Sequence, residues 1–338
     1  MNLELWKKIK KRQFAPVYLL HGSETFLIQE TKELLIKYSV EEEEKDFNLS
    51  IFDLEETPVE IALADAETLP FMGERRLVIL QNPHFLKAEK SKEKVEHNVT
   101  VLEQYLKEPA PFTILVITAP YEKLDERKKI VKQLKKNAEV LTVNTLSEKD
   151  LHSWITERTN QHRVTISPSA IQELLHVAGT NLMNITQEID KMCLYLGENG
   201  EITEETVKLL VPRSLEQNIF SLIDKVVNRK LDEALRIFYD LLQNNEEPIK
   251  ILSLLATQFR LIFQVKELSR QGYGQQQIAG NLKVHPFRVK LAGGQANLFT
   301  QEELLGILSQ LAEADYEMKN GKMDKKLILE LFIMKLGK

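Results

Sequence analysis

The residues best placed to do chemistry are His21-Gly22-Ser23-Glu24-Thr25, which follow the apolar run Val17 to Leu20. In an α/β domain the turn after the first strand is where a nucleotide's phosphates are usually cradled. Such a loop needs a glycine-rich turn whose amides face the phosphate, then a lysine for charge and a Ser or Thr for Mg²⁺. Here Gly22 remains, but Gly-Lys-Ser/Thr occurs nowhere in the chain, and Glu24 puts negative charge where the phosphate would lie. The metal half is no better: the run Thr113 to Thr118 leads into Ala119-Pro120-Tyr121-Glu122, so no aspartate ends it and Glu122 comes too late to hold Mg²⁺. Gly22 to Thr25 therefore read as a degenerate nucleotide loop, and ATP hydrolysis is not expected.

Other catalytic constellations are missing from the sequence. There is no Cys/His metal spacing, no His-Glu-x-x-His and no Gly-x-Ser-x-Gly, and the seven histidines are scattered. His21 reads as a hydrogen-bonded histidine at a strand end rather than a catalytic one. The sole cysteine, Cys193, sits in the apolar run Ile189 to Leu196 and reads as a small buried thiol. The expectation is a non-enzymatic chain with no metal and no cofactor.

Three features invite binding instead. In Glu67-Thr68-Leu69-Pro70-Phe71-Met72-Gly73 a proline and a glycine interrupt the apolar residues. Two readings fit: Leu69, Phe71 and Met72 plug the core, or they form an exposed apolar finger for a partner's pocket. Gln275 to Ala296 has the outline of a helix-turn-helix, with Lys283, Arg288 and Lys290 as its positive charge. So few basic residues favour an ordinary helical corner over a DNA-binding regulator. Lys123 to Lys136 carries seven basic residues against Asp125 and Glu126, either a solvated helix face or a surface for DNA or an acidic partner.

The elements that must position these residues fall into three stretches. Up to about residue 145, strand-length apolar runs (Val17 to His21, Phe47 to Phe52, Arg76 to Gln81, Phe112 to Thr118, Glu139 to Val143) alternate with amphipathic stretches (Thr25 to Tyr38, Pro58 to Glu67, Val99 to Lys107, Asp125 to Asn137). That alternation predicts a mostly parallel sheet covered on both faces. After Thr145 strand signals stop. Residues 146–211 read as a small helical domain, with helices entered at Ser147, at Ser167-Pro168 and at Asn181 and closed by Gly179 and Gly197. From residue 212 on, Ser214 to Asn228, Leu231 to Asn244, Pro248 to Arg270, Pro286 to Ala296, Gln301 to Met318 and Asp324 to Leu336 read as a helical bundle. The glutamate run Glu41 to Glu44 reads as a solvated helix end.

The chain has 338 residues with 45 Lys+Arg against 50 Asp+Glu, a formal charge of −5. That length predicts two or three domains. The mild acidity excludes a dedicated polybasic nucleic-acid binder, because such affinity comes mostly from Lys and Arg neutralising phosphates. One cysteine excludes a disulfide scaffold. No run approaches the roughly 20 consecutive apolar residues of a membrane span, and Met1 to Arg12 lacks a leader's apolar stretch. A cytoplasmic protein with no membrane partner is expected.

Six segments in order carry a resemblance over essentially the whole chain: Pro16 to Glu24, Leu69 to Val78, Lys123 to Lys129, Gly179 to Leu182 with Glu188 to Lys191, Asn218 to Asp224, and Asp315 to Gly321. Together they resemble the delta subunits of the bacterial DNA polymerase III clamp loader. The resemblance implies an α/β plus all-α fold of AAA+ type: a degenerate P-loop module over 1–145, a helical lid over 146–211 and a helical collar over 212–338 that joins the other loader subunits. It also implies a subunit that neither binds nor hydrolyses ATP. Leu182 and Met183 stand near the place where active relatives carry an ATP-sensing arginine. The implied partners are the beta sliding clamp, gripped and helped open, the tau/gamma and delta-prime subunits, and primer-template DNA only in the assembled complex. The clamp-binding element maps onto Leu69 and Phe71, flanked by Thr68, Pro70 and Met72; Pro70 separates the pair, unlike the contiguous Leu-Phe of some members. Lys128, Lys129 and Arg288 are the candidates to face DNA.

Overall fold

The computed structural model describes residues 3–71, 73–87, 94–321 and 323–337. The chain divides into two compact units, Met1–Leu146 and Ser147–Lys338.

The first unit is built on a five-stranded parallel sheet: β1 (Val17–His21), β2 (Leu49–Asp53), β3 (Arg76–Gln81), β4 (Thr113–Ala119) and β5 (Glu139–Thr142). Their order across the sheet is β2-β3-β4-β1-β5, so β1 lies inside, between β4 and β5. Its helices are α1 (Leu3–Lys10), α2 (Thr25–Ser39), α3 (Lys45–Asn48), α4 (Val59–Ala66), α5 (Val99–Tyr105) and α6 (Lys129–Asn137). Every residue of β1 and β4 is buried, as the unbroken apolar runs require of strands covered on both faces. Val17 and Leu19, Val78 and Leu80, and Leu115 and Ile117 point to one face, where they pack with Ala62 and Leu63 of α4, Leu102 of α5 and Val131 and Leu134 of α6. Because strand side chains alternate, Tyr18, Leu20, Leu77, Ile79 and Val116 point to the other face. The helix α2 packs on β3, and α1 packs on α2; the Trp6 indole N–H donates to Thr31 Oγ1 at 2.9 Å between them.

Two expectations change here. Phe47 and Asn48 are not in a strand: α3 ends at Asn48 and β2 starts at Leu49. The helix expected from Asp125 starts at Lys129, because the Asp125 carboxylate accepts the Arg127 backbone N–H at 3.1 Å and holds 125–128 as a turn.

The second unit is helical: α7 (Glu148–Gln161), α8 (Pro168–Ala178), α9 (Leu182–Leu196) and α10 (Glu204–Leu210), then α11 (Leu215–Val227), α12 (Leu231–Gln243), α13 (Pro248–Arg270), α14 (Gln275–Leu282), α15 (Pro286–Ala296), α16 (Gln301–Asn320) and α17 (Lys325–Leu336). Ser147, Ser167 and Asn181 cap as their positions predict, accepting from Asp150, Ala170 and Asn184 backbone N–H groups. Gly179 (φ 81°) and Gly197 (φ 71°) end α8 and α9 in backbone that favours glycine. One strand pair breaks the all-helical expectation: β6 (Thr165–Ile166) and β7 (Glu201–Ile202) pair in parallel, too short for a pattern to reveal.

The bundle after Ser214 has one large core, from Ile219 through Phe238, Leu255 and Phe259 to Ile333. Inside it Gln258 Nε2 donates to Gln295 Oε1 at 3.1 Å, and Gln295 Nε2 donates to the Phe220 carbonyl at 3.2 Å, so both amides are paired. Among the described residues α13 alone, 23 residues long, is long and apolar enough to cross a membrane, its most apolar 18-residue stretch having a mean hydropathy of 1.2. Counting uninterrupted apolar runs misses it, because Gln258 and Arg260 break them. Its apolar residues Ile251, Leu255, Phe259 and Ile262 are buried in the bundle core.

Candidate partner-binding site

The loop between α4 and β3 carries the apolar residues singled out above. Leu69 is 69% exposed and Phe71 60% exposed, so neither plugs the core. Thr68 is exposed and closes α4, its N–H donating to the Asp65 carbonyl at 3.0 Å and its Oγ1 to the Ala64 carbonyl at 3.1 Å. Pro70 is half-buried, and Met72 lies outside the described residues.

Beneath this tip the backbone is anchored. Asn48, fully buried, donates from Nδ2 to the Phe71 carbonyl at 3.1 Å and accepts the Phe71 N–H on Oδ1 at 2.8 Å. Arg76, the first residue of β3 and itself buried, forks onto the Asp65 carboxylate, with Nε 3.2 Å from Oδ2 and a second nitrogen on Oδ1. The same guanidinium reaches the Phe47 carbonyl at 3.0 Å and Ser50 Oγ at 3.2 Å. One side chain thus ties the end of α4, α3 and β2 to the start of β3, a use that suits the planar fork of arginine. The loop has a fixed base and apolar tips in solvent. Nothing in the residue pattern points to Asn48, because its partner lies 23 residues away.

The degenerate nucleotide loop is closed by the protein itself. The Gly22 N–H points at the Ala119 carbonyl (3.3 Å), Ser23 N–H at Asn144 Oδ1 (3.1 Å), Glu24 N–H at the Val143 carbonyl (3.0 Å) and Thr25 N–H at the Ser23 carbonyl (3.2 Å). The four amides that would face a phosphate are all engaged. Gly22 has φ 141°, and a Cβ there would lie 1.8 Å from the Val143 oxygen, so the loop presses directly on the chain leaving β5. Burial raises the Glu24 carboxyl above its ordinary pKa. His21 is buried, its Nε2 2.9 Å from Thr142 Oγ1, and burial followed by the Lys135 charge lowers its pKa. Glu122 is exposed. Among the described residues no group of three or more His, Cys, Asp or Glu is placed to hold a metal ion.

The remaining candidates are scattered. Lys128 Nζ donates to the Phe85 and Lys87 carbonyls, both at 2.8 Å, and so serves the loop after β3. Lys129, on α6, pairs with Glu103 at 2.5 Å. In the second unit Arg288 is half-buried in the first turn of α15, whose Val289, Ala292 and Ala296 join the bundle core with Ile278 and Ala279 of α14. Lys290 pairs with Glu148 at 3.0 Å. Leu182 is buried at the start of α9, and Met183 beside it is exposed.

Against known proteins, the chain is 56% identical over all 338 residues to the DNA polymerase III subunit delta of Bacillus subtilis (strain 168), covering 97% of that protein. The chain belongs to the DNA polymerase III delta-subunit family. The family model described as DNA polymerase III, delta subunit, matches residues 18–144, and the one for the delta subunit's C-terminal domain matches residues 216–336. A probable DNA polymerase III subunit delta of Aquifex aeolicus is 24% identical over 259 residues, 76% of this chain and 72% of that one. The solved DNA clamp loader delta protein of Bacillus subtilis superposes with a TM-score of 0.86, covering 100% of this chain and 99% of that one at 56% identity. The α/β module followed by a largely helical part is thus a fold shared with this solved relative.

Proposed function

We propose that this chain is the subunit of a DNA polymerase III clamp loader that binds the beta sliding clamp, through Thr68, Leu69, Pro70 and Phe71, and helps open the ring for loading onto primed DNA. The exposure of Leu69 and Phe71 above an anchored loop base carries this reading. Burying a Leu or Phe side chain is worth about 1.5 to 3 kcal/mol, so the pair supplies about 3 to 6 kcal/mol, on the order of 10² to 10⁴ in affinity. An ordered loop base spares part of the entropy that a flexible loop would lose on docking. Ring opening further requires that the chain bind the open interface more tightly than the closed one, since a ligand shifts an equilibrium only by its differential affinity.

In this reading the chain does no ATP chemistry of its own. Its loop amides are spent on Ala119, Asn144, Val143 and Ser23, and it lacks the lysine and the metal-binding aspartate. ATP chemistry is left to neighbouring loader subunits; the chain joins tau/gamma and delta-prime through residues 212–338, while 146–211 form the lid. Primer-template DNA is met only in the assembled complex, and the setting is cytoplasmic.

The test is to mix the purified chain with sliding clamp, without nucleotide, and measure the mass of the product by light scattering. A 1:1 complex is expected. Failure to form one would overturn the proposal, and tight ATP binding by the chain alone would favour an active ATPase instead.

A further inference from the structure

Phe47, at the end of α3, lies against Phe71. The ring centroids are 5.1 Å apart at an interplanar angle of 46°, and the two side chains are 55% and 60% exposed. Two touching rings, each more than half in solvent, lose apolar contact with water only when something covers both. Their positions are set from below by adjacent groups: Arg76 holds the Phe47 carbonyl, and Asn48, the next residue, holds both backbone groups of Phe71. The pair therefore forms one apolar face, two residues along the loop from the exposed Leu69.

The chain on either side of these two rings is acidic. Glu42, Glu43, Glu44 and Asp46 precede Phe47, and Glu67 and Glu74 flank the loop, against Lys45 and Arg75. Lys45 is paired with Glu42, and the Arg75 guanidinium lies over the Phe14 ring at 5.0 Å from its centroid. The Glu44 carboxylate packs over Gly73, where an added Cβ would lie 2.3 Å from it. A fitting partner presents an apolar pocket with a basic rim.

We propose that Phe47 is a third contact residue for the sliding clamp, its ring entering the pocket beside Phe71. This rests on the reading of the 68–71 loop as the clamp-binding element.

Two experiments decide it. Phe47→Ala should weaken clamp binding about tenfold, the effect of losing roughly 1.4 kcal/mol, and Phe47→Leu should restore part of the loss. A Phe47→Cys variant offers a direct reading of contact, because the natural Cys193 is buried and its pKa is raised to about 11. A thiol reagent at neutral pH should label only the new cysteine, and saturating sliding clamp should protect it. If Leu69→Ala/Phe71→Ala abolishes binding while Phe47→Ala binds normally and Phe47→Cys stays unprotected, the role of Phe47 is refuted and the loop reading stands. If the Leu69/Phe71 double variant binds normally, the loop reading fails and this inference fails with it.

Discussion

The carboxamide of Asn48 makes a two-point hydrogen-bonded clamp on Phe71, donating to its carbonyl at 3.1 Å and accepting from its N–H at 2.8 Å. An asparagine 23 residues upstream thereby acts as a backbone partner for an exposed loop that has no strand of its own there. Asn48→Ala leaves the Phe71 N–H and carbonyl to water. Because Asn48 is fully buried beneath the loop, the loss of fold stability should be about 1 to 3 kcal/mol. The loop, freed of its anchor, should bind sliding clamp about tenfold more weakly, as ordering it then costs entropy. A binding titration paired with a thermal melt checks both numbers, and unchanged affinity would mean that the loop is held by other contacts.

Arg76 is the wider fastening of the same region. Removing its side chain strands the partly buried Asp65 carboxylate and releases the Phe47 carbonyl. Arg76→Ala should cost about 3 to 5 kcal/mol in chemical denaturation. Arg76→Lys should recover little, because a lysine cannot serve the carboxylate, a carbonyl and a hydroxyl from one planar fork.

At the degenerate nucleotide loop, Gly22→Ala drives a methyl into the Val143 carbonyl and strains the backbone. A loss of about 2 to 4 kcal/mol in denaturant unfolding is expected. Glu24→Lys restores a positive charge but frees none of the four engaged amides. Calorimetric titration of this variant with ATP and Mg²⁺ should stay flat, and saturable binding would show that charge alone had closed the site.

His21 has its pKa lowered in the folded chain, so the unfolded chain takes up its proton first as pH falls. Folding stability from this group is therefore intact above its unfolded value, near 6.5, and is lost progressively as pH falls from there to the folded pKa. The slope for one proton is at most about 1.4 kcal/mol per pH unit. His21→Asn should flatten the stability curve in that window; an identical pH dependence in both proteins would rule out this source.

Much of the scaffold could be read directly from side-chain pattern. The runs at Val17–His21 and Arg76–Gln81 are unbroken because strands covered on both faces need them so, and Pro248–Arg270 and Pro286–Ala296 begin where proline fits the first helical turn. What stayed hidden depends on distant partners. Phe47 looks like a strand residue until Asn48 is seen bonding to Phe71, and the short β6–β7 pair exists only because Thr165 and Glu201, far apart in the chain, meet. Side-chain pattern left the apolar loop between two readings, core plug and exposed finger for a partner; the exposure of Leu69 and Phe71 excludes the core plug for those two residues. Lys128 looked available for DNA, but its ammonium is taken up by the Phe85 and Lys87 carbonyls, a bond that charge counting does not foresee.

In the proposed function Leu69 and Phe71 are the anchors for the sliding clamp. The direct measurement is the equilibrium affinity of the full chain for sliding clamp, wild type against Leu69→Ala/Phe71→Ala, with circular dichroism and melting temperature to establish that both are folded. The double variant should keep the wild-type melt, since both side chains are in solvent, and lose on the order of 10² or more in affinity. A folded double variant that binds the clamp as tightly as wild type would contradict the account.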